Sequence, residues 1–217
     1  LFYHWDKSHF IFGSELKSIK ASGVQLKLNT AVIPSYLHLG YIPQNHTIYN
    51  DTYKLPAGSY GILSNGKFET LPFWSPENCI EKEPIANYQA AKKKLNNELN
   101  LAVEKRLISD VPLGTFLSGG IDSSLVSAIA AKQSSTKLNT FSIGFKDAQH
   151  NESEYATRVA KHLNTNHHEF ILTQNDALDQ LEQIMDNFDQ PFADSSALPT
   201  YLVSKMAKKH VSVCLSG

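Results

Sequence analysis

An α/β fold built on a parallel sheet, preceded by a smaller aromatic-rich region, is what this 217-residue sequence predicts. Two observations carry the prediction. From about Ile85 onward, short apolar runs alternate with segments of helical period, and strand–helix alternation is the pattern of parallel sheets covered by helices on both faces. One junction in that alternation, Ser118-Gly119-Gly120-Ile121-Asp122-Ser123-Ser124, follows an apolar run and opens a helical one. In sheets of this kind ligands sit outside the carboxyl ends of the strands, where such junctions lie.

The elements follow in order. In residues 1–75, Phe10-Ile11-Phe12 reads as a strand and Ser14 to Lys20 as a short helix. Ser59 to Thr70 reads as a hairpin turning at Asn65-Gly66, a dipeptide that tolerates positive φ at both central positions. Ser75 to Pro84, with prolines at both ends and charges around Cys79, reads as a linker. Ile85, Tyr88, Leu95, Leu99, Val103 and Leu107 then fit one face of a long amphipathic helix. After it come a short strand (Leu113 to Leu117), a helix (Ile121 to Lys132) and a strand (Leu138 to Phe145). Glu152 to Leu163 is predicted helical, with Tyr155, Val159 and Leu163 on one face. A strand from His168 to Leu172 leads to a helix from Asn175 to Phe188, capped by Thr173 or Asn175. Ser195 to Lys209 is mostly helical despite Pro199, and Val211 to Leu215 is a final strand.

Composition excludes several classes of function. With 20 basic and 21 acidic residues and a net charge of −1, the chain has no field for holding nucleic acid non-specifically. No apolar run approaches the roughly 20 residues that span a bilayer. The N-terminus, Leu1 to Phe10, lacks a signal pattern and an initiator Met, and reads as the start of a fragment of something longer. Cys79 and Cys214 are too few and too far apart for a disulfide framework or a zinc site. Cys214, within Val211 to Leu215, is expected in the core, and a reducing cytoplasm fits. Sequons at Asn45, Asn50 and Asn151 are of a kind that arises by chance.

The chemistry concentrates in Ser118 to Ser124. Backbone N–H groups at a helix N-terminus point outward unpaired and carry partial positive charge. Two adjacent glycines let the backbone approach phosphate oxygens closely, and Ser118, Ser123 and Ser124 add hydroxyl donors. Asp122 would repel phosphates directly, but is accounted for if Mg²⁺ sits between, since Mg²⁺ is held by one or two carboxylates plus substrate phosphates. The plainer alternative is a helix start with Ser118 as N-cap. The whole junction in its strand-to-helix context favours nucleotide binding.

Ser118 to Ser124 resembles the pyrophosphatase loop of the N-type ATP pyrophosphatases. Its surroundings resemble the glutamine-hydrolysing asparagine synthetases: Asp110 to Leu117, Thr140 to Phe145, His167-His168-Glu169, Asp194 to Tyr201 and Val213 to Gly217. Phe10 to Lys17 and Lys54 to Gly58 are similar to the end of that family's glutaminase domain. The resemblance implies that residues 1–76 are the trailing part of an αββα Ntn-type glutaminase domain and residues 77–84 a linker. Residues 85–217 would be the first half of a parallel-sheet, adenine-nucleotide-hydrolase-like (PP-loop) synthetase domain. It implies ATP contacts at Leu117, Ile143, Ser216 and Gly217. It implies a pyrophosphate cradle at Ser118, Gly119, Gly120, Asp122, Ser123 and Ser124, with Asp122 as Mg²⁺ ligand and Asp122 and Ser118 as the catalytic pair. The implied reaction activates the aspartate side chain with ATP, releases pyrophosphate, and lets glutamine-derived ammonia displace AMP. A homodimer is implied for the full-length protein. Alternatives are a paralogue acting on another carboxylate, or a non-catalytic nucleotide-binding module.

Two departures from the family pattern matter. Its glutaminase nucleophile is an N-terminal cysteine, whereas residue 1 here is Leu and no cysteine precedes Cys79. Its acidic residues beyond the second ATP motif would follow Gly217. The expectation is that these 217 residues alone turn over neither half-reaction.

Lesser signals weigh less. Gly61 to Phe68 nearly spells a phosphate-binding loop but has Phe68 where Ser or Thr should hold Mg²⁺, and it crosses the predicted hairpin. Ser14 to Lys17 and Ser134 to Lys137 fit a Ser-x-x-Lys pattern without companion motifs. His167 and His168, adjacent on a strand, face opposite sides and cannot both hold one ion, so packing roles are expected. Asp189 to Ser196, between two helices, is either a cap or a loop near the acceptor or the ammonia path.

Overall fold

A computed structural model of the chain describes residues 1–80, 83–145, 153–173, 178 and 180–217. They form two compact units. The first comprises Leu1–Glu83 with Met185–Asp194, the second Pro84–Ile184 with Ser195–Gly217.

In the first unit, β1 (Phe2–Trp5) lies between β2 (Phe10–Gly13) and β3 (Thr52–Lys54), antiparallel to both. The short helices are α1 (Leu16–Ala21) and α2 (Ile33–Leu39). A separate hairpin pairs β4 (Ser59–Ser64) with β5 (Lys67–Pro72). Its turn uses positive φ at Asn65 (50°) and Gly66 (71°), as the dipeptide predicts. The near-match to a phosphate loop is therefore a hairpin. Phe68 packs its ring 4.6 Å from Tyr3 and 4.8 Å from Phe10, centroid to centroid. The apolar residues with the deepest burial in this unit are Leu16, Ile19 and Ile42.

The second unit is a four-stranded parallel sheet between helices. Its elements are α3 (Tyr88–Leu107), β6 (Leu113–Phe116), α4 (Ile121–Gln133), β7 (Asn139–Phe145), α5 (Ser153–His162) and β8 (Asn166–Leu172). Then come α6 (Leu181–Asn187), whose last residues belong to the first unit, α7 (Ala197–Ala207) and β9 (Val213–Leu215). The strand order is β8-β7-β6-β9, every pair parallel. The chain steps outward from β6 through β7 to β8, then returns to place β9 on the other side of β6. That reversal makes a switch point at the carboxyl ends of β6 and β9.

Opposite faces of the sheet carry different partners. Phe116, Phe141, Ile143, Phe170 and Cys214 pack with Val203 and Ala207 of α7. On the other face Thr115 and Ser127 of α4 share a fully buried hydroxyl–hydroxyl bond of 2.8 Å. Val103, Ile129, Ala130 and Leu138 close the cluster between α3 and α4. Pro199 sits in the first turn of α7, where its missing N–H leaves no intrahelical acceptor short of a donor.

Some predicted elements shift. The long helix starts at Tyr88 instead of Ile85, because Asn87 caps it by accepting from the N–H groups of Gln89 and Ala90. Its predicted apolar face divides. Leu99, Val103 and Leu107 pack inward, while Tyr88 and Leu95 are exposed, since the 13-residue α4 covers only part of a 20-residue helix. On α5 the buried stripe is Ala156 and Ala160 in place of Tyr155 and Leu163, with Val159 flanking it. Alanines bring the helix axis close to the sheet, and Tyr155 is left outside under the Arg158 guanidinium. Of the helix expected over residues 175–188, Leu181–Asn187 is helical, while residues 175–177 and 179, the proposed cap Asn175 among them, lie outside the described residues.

The two histidines of β8 face opposite sides, as alternation requires. His167 is bonded through Nδ1 to Thr140 Oγ1 (2.9 Å) and through Nε2 to Ser142 Oγ (3.2 Å). His168 stacks on Phe141 at 5.0 Å and lies 4.1 Å from the His210 ring. Burial pushes both imidazoles below the ordinary histidine range, and for His168 the neighbouring His210 adds to it. No cluster of metal-ligating side chains occurs among the described residues. Cys79 is exposed and Cys214 half-buried, both free, and burial raises the Cys214 thiol to about 11.

Candidate nucleotide site

The site is built from the loop between β6 and α4. β6 ends in the sheet interior, where the Leu117 N–H donates to Phe141 O at 2.8 Å and the Leu117 side chain is buried against Ala156 and Ala160. The chain must then leave the sheet and enter α4 within a few residues. Gly119 makes this possible at φ 86°, a conformation that favours glycine. A Cβ at Gly119 would lie 2.6 Å from both Ala156 N and Tyr155 Cβ, so the loop is seated directly on the first turn of α5.

The hydroxyls then tie the loop to itself. Ser118 Oγ and Ser123 Oγ are 2.9 Å apart. The Ser118 N–H donates to Ser123 Oγ (3.3 Å) and the Gly120 N–H to Ser118 Oγ (3.3 Å). Gly120 is the N-cap, and the first helical bond runs from Ser124 N–H to Gly120 O at 3.1 Å. The N–H groups of Ile121, Asp122 and Ser123 find no protein acceptor among the described residues, as expected for a first helical turn. Ser124 Oγ is enclosed and has no hydrogen-bond partner. A buried hydroxyl without a partner costs about 1–3 kcal/mol, which a bound oxygen would relieve. Asp122 is exposed and makes no hydrogen bond or ion pair among the described residues.

The end of β9 completes the arrangement. A Cβ at Gly217 would lie 2.7 Å from Asp122 C and Ser123 N, so only a glycine lets the two backbones meet there. Ser216 and Gly217 thus join Ser118 to Ser124 at the switch point between β6 and β9. Of the remaining expected contacts, Leu117 adjoins this cluster and Ile143 stands apart from it. Leu117 offers main chain only, its side chain being in the core, and Ile143 packs with the α7 cluster on the opposite face of the sheet. Sequence reasoning missed the seat provided by Tyr155 and Ala156. Its signal was present in the small pair Ala156 and Ala160, whose spacing marks a helix in close approach.

The donor set suits a polyphosphate. Free first-turn N–H groups, an orphaned hydroxyl and a backbone without side-chain bulk are anion-binding features. Asp122 adds a single exposed carboxylate on the same turn.

Comparison with known proteins adds to this geometry. The family model described as "Asparagine synthase" matches residues 94–217, and one described as "Glutamine amidotransferase domain" matches residues 1–74. A Methanocaldococcus jannaschii protein named "Putative asparagine synthetase (glutamine-hydrolyzing) 2" is 38% identical over 100% of this chain and 42% of its own length. Asparagine synthetase (glutamine-hydrolyzing) 1 of Bacillus subtilis is 31% identical over 100% of this chain and 34% of its own length. The chain thus spans less than half the length of these relatives.

Proposed function

This chain belongs to the asparagine synthase family, and from that premise we propose that it is the part of a glutamine-dependent synthetase that grips ATP by its phosphates. The supporting observation is the turn from Ser118 to Ser124. It carries N–H groups at Ile121, Asp122 and Ser123 without a protein acceptor among the described residues and an enclosed, unpartnered Ser124 hydroxyl, and its backbone at Asp122 and Ser123 meets Gly217 after β9.

The reaction this reading implies is an adenylylation followed by amidation. An oxygen of the aspartate side chain attacks the α-phosphorus of ATP, and the bond to the bridging oxygen breaks to release pyrophosphate. Ammonia supplied from glutamine attacks the acyl carbon, loses a proton, and AMP leaves with the electron pair. The turn acts on the leaving group. Its N–H groups and hydroxyls are fixed before the substrate arrives, so they stabilise charge on the departing pyrophosphate without reorganising. Asp122 would hold Mg²⁺, which neutralises phosphate charge when bound. On the same reading Ser118 orients the turn through its bonds to Ser123 and Gly120. The family reading extends to a cytoplasmic enzyme that works as a homodimer. No helix among the described residues is long and apolar enough to cross a membrane.

The test is pyrophosphate release by the full-length protein with Mg-ATP and ammonium across a panel of carboxylates led by aspartate. Aspartate-dependent release that falls at least about 100-fold in Asp122→Ala, the loss typical of a removed electrostatic group, is expected. Release with another carboxylate alone moves the function to a paralogue. No release from folded protein with any acceptor overturns the catalytic reading.

A further inference from the structure

Residues 185–194 enter the second unit's sequence from α6 and leave it to α7, yet they pack within the first unit. Their anchors are specific. Asp189 Oδ2 accepts the Leu16 N–H at 2.6 Å, at the start of α1, and Asp189 Oδ1 lies 3.6 Å from Lys17 Nζ. The helix's own N-cap, Glu15, makes no side-chain capping bond, so a residue 173 positions away supplies it. Gln190 Oε1 accepts the Ile48 N–H at 3.4 Å. The Ala193 N–H donates to Gly40 O at 2.8 Å, and Gly40, at φ 76°, ends α2. Asp189 is mostly buried, its side chain only 13% exposed.

The chain consequently passes between the two units at three places, after Glu83, Ile184 and Asp194, and not at a single linker. A single flexible connection lets two units unfold independently. Here α6 itself is divided, Leu181–Ile184 belonging to the second unit and Met185–Asn187 to the first, so loss of this one helix reaches both units. We propose that residues 185–194 are a coupling strap, anchored by Asp189, that makes the two units unfold as one cooperative system. This role is independent of the nucleotide reading and needs no ligand.

The two units carry separate reporters. Trp5 and Trp74, the two tryptophans of the chain, both lie in the first unit. The long helices α3, α4, α5 and α7 lie in the second. Urea unfolding followed by tryptophan fluorescence and by helical circular dichroism therefore follows each unit by itself. Coincident transitions are expected in the unaltered chain. In Asp189→Ala the two should separate, the fluorescence midpoint falling by roughly 1 M urea, the scale of a lost charge-assisted hydrogen bond at ordinary denaturant slopes. Asp189→Asn, which keeps an acceptor for the Leu16 N–H, should separate them less, and it serves if the alanine variant does not fold. Transitions already separate in the unaltered chain, or still coincident in both variants, overturn the proposal.

Discussion

At the scale of single residues, the site rests on glycines that nothing else can replace. Gly119→Ala would place a methyl 2.6 Å from Ala156 N and Tyr155 Cβ at a φ of 86°. Backbone at the start of α5 cannot swing aside as a flexible side chain can. A loss of about 1–3 kcal/mol of stability is expected from denaturant unfolding, together with loss of nucleotide binding by calorimetry. A variant of unchanged stability and affinity would refute the seat. Glycines 119 and 120 stood out in the sequence because they fall between strand and helix. What they press against was hidden, because Tyr155 and Ala156 come close only through the packing of α5 on Leu117. The Ser124 hydroxyl was visible as a candidate donor, but its lack of a partner is a property of its enclosure.

At the scale of elements, the strands of the second unit were read from sequence more faithfully than its helix faces, whereas β1 and β3 of the first unit were not foreseen. β6, β7 and β9 lie where short apolar runs predicted them, because a buried parallel strand is apolar on both faces. α3 and α5 were placed correctly but turned wrongly, because which apolar residues are buried depends on what packs against the helix. The junction of β7 and β8 carries a pH dependence. His167 sits between Thr140 and Ser142 with its pKa lowered by burial, so on acidification the unfolded chain takes up the proton first. Stability is therefore whole above the ordinary imidazole value of 6.5 and is lost as pH falls through the lower folded value. His168, lowered in the same direction, adds to the same slope. Urea midpoints measured between pH 7.5 and 5 should fall with pH in the parent chain and fall less in His167→Asn, and equal slopes would count against the assignment.

At the scale of the whole molecule, the centre of the second unit is Phe141, fully buried between α7 and the sheet. Phe141→Ala should cost about 3–5 kcal/mol. If the strap couples the units, circular dichroism and the fluorescence of Trp5 and Trp74 should shift together. A shift in circular dichroism alone would confine the damage to one unit. The class of fold, the strand-to-helix turn at Ser118 to Ser124 and the hairpin at Asn65-Gly66 are legible in the amino-acid sequence. Each of these follows from local periodicity and backbone preference, which neighbouring residues dictate. That Gly217 closes against Asp122, and that Asp189 caps a helix at Leu16, emerges from long-range packing alone. Both contacts join residues far apart in the chain, and no local propensity encodes a meeting that exists only once each unit has folded.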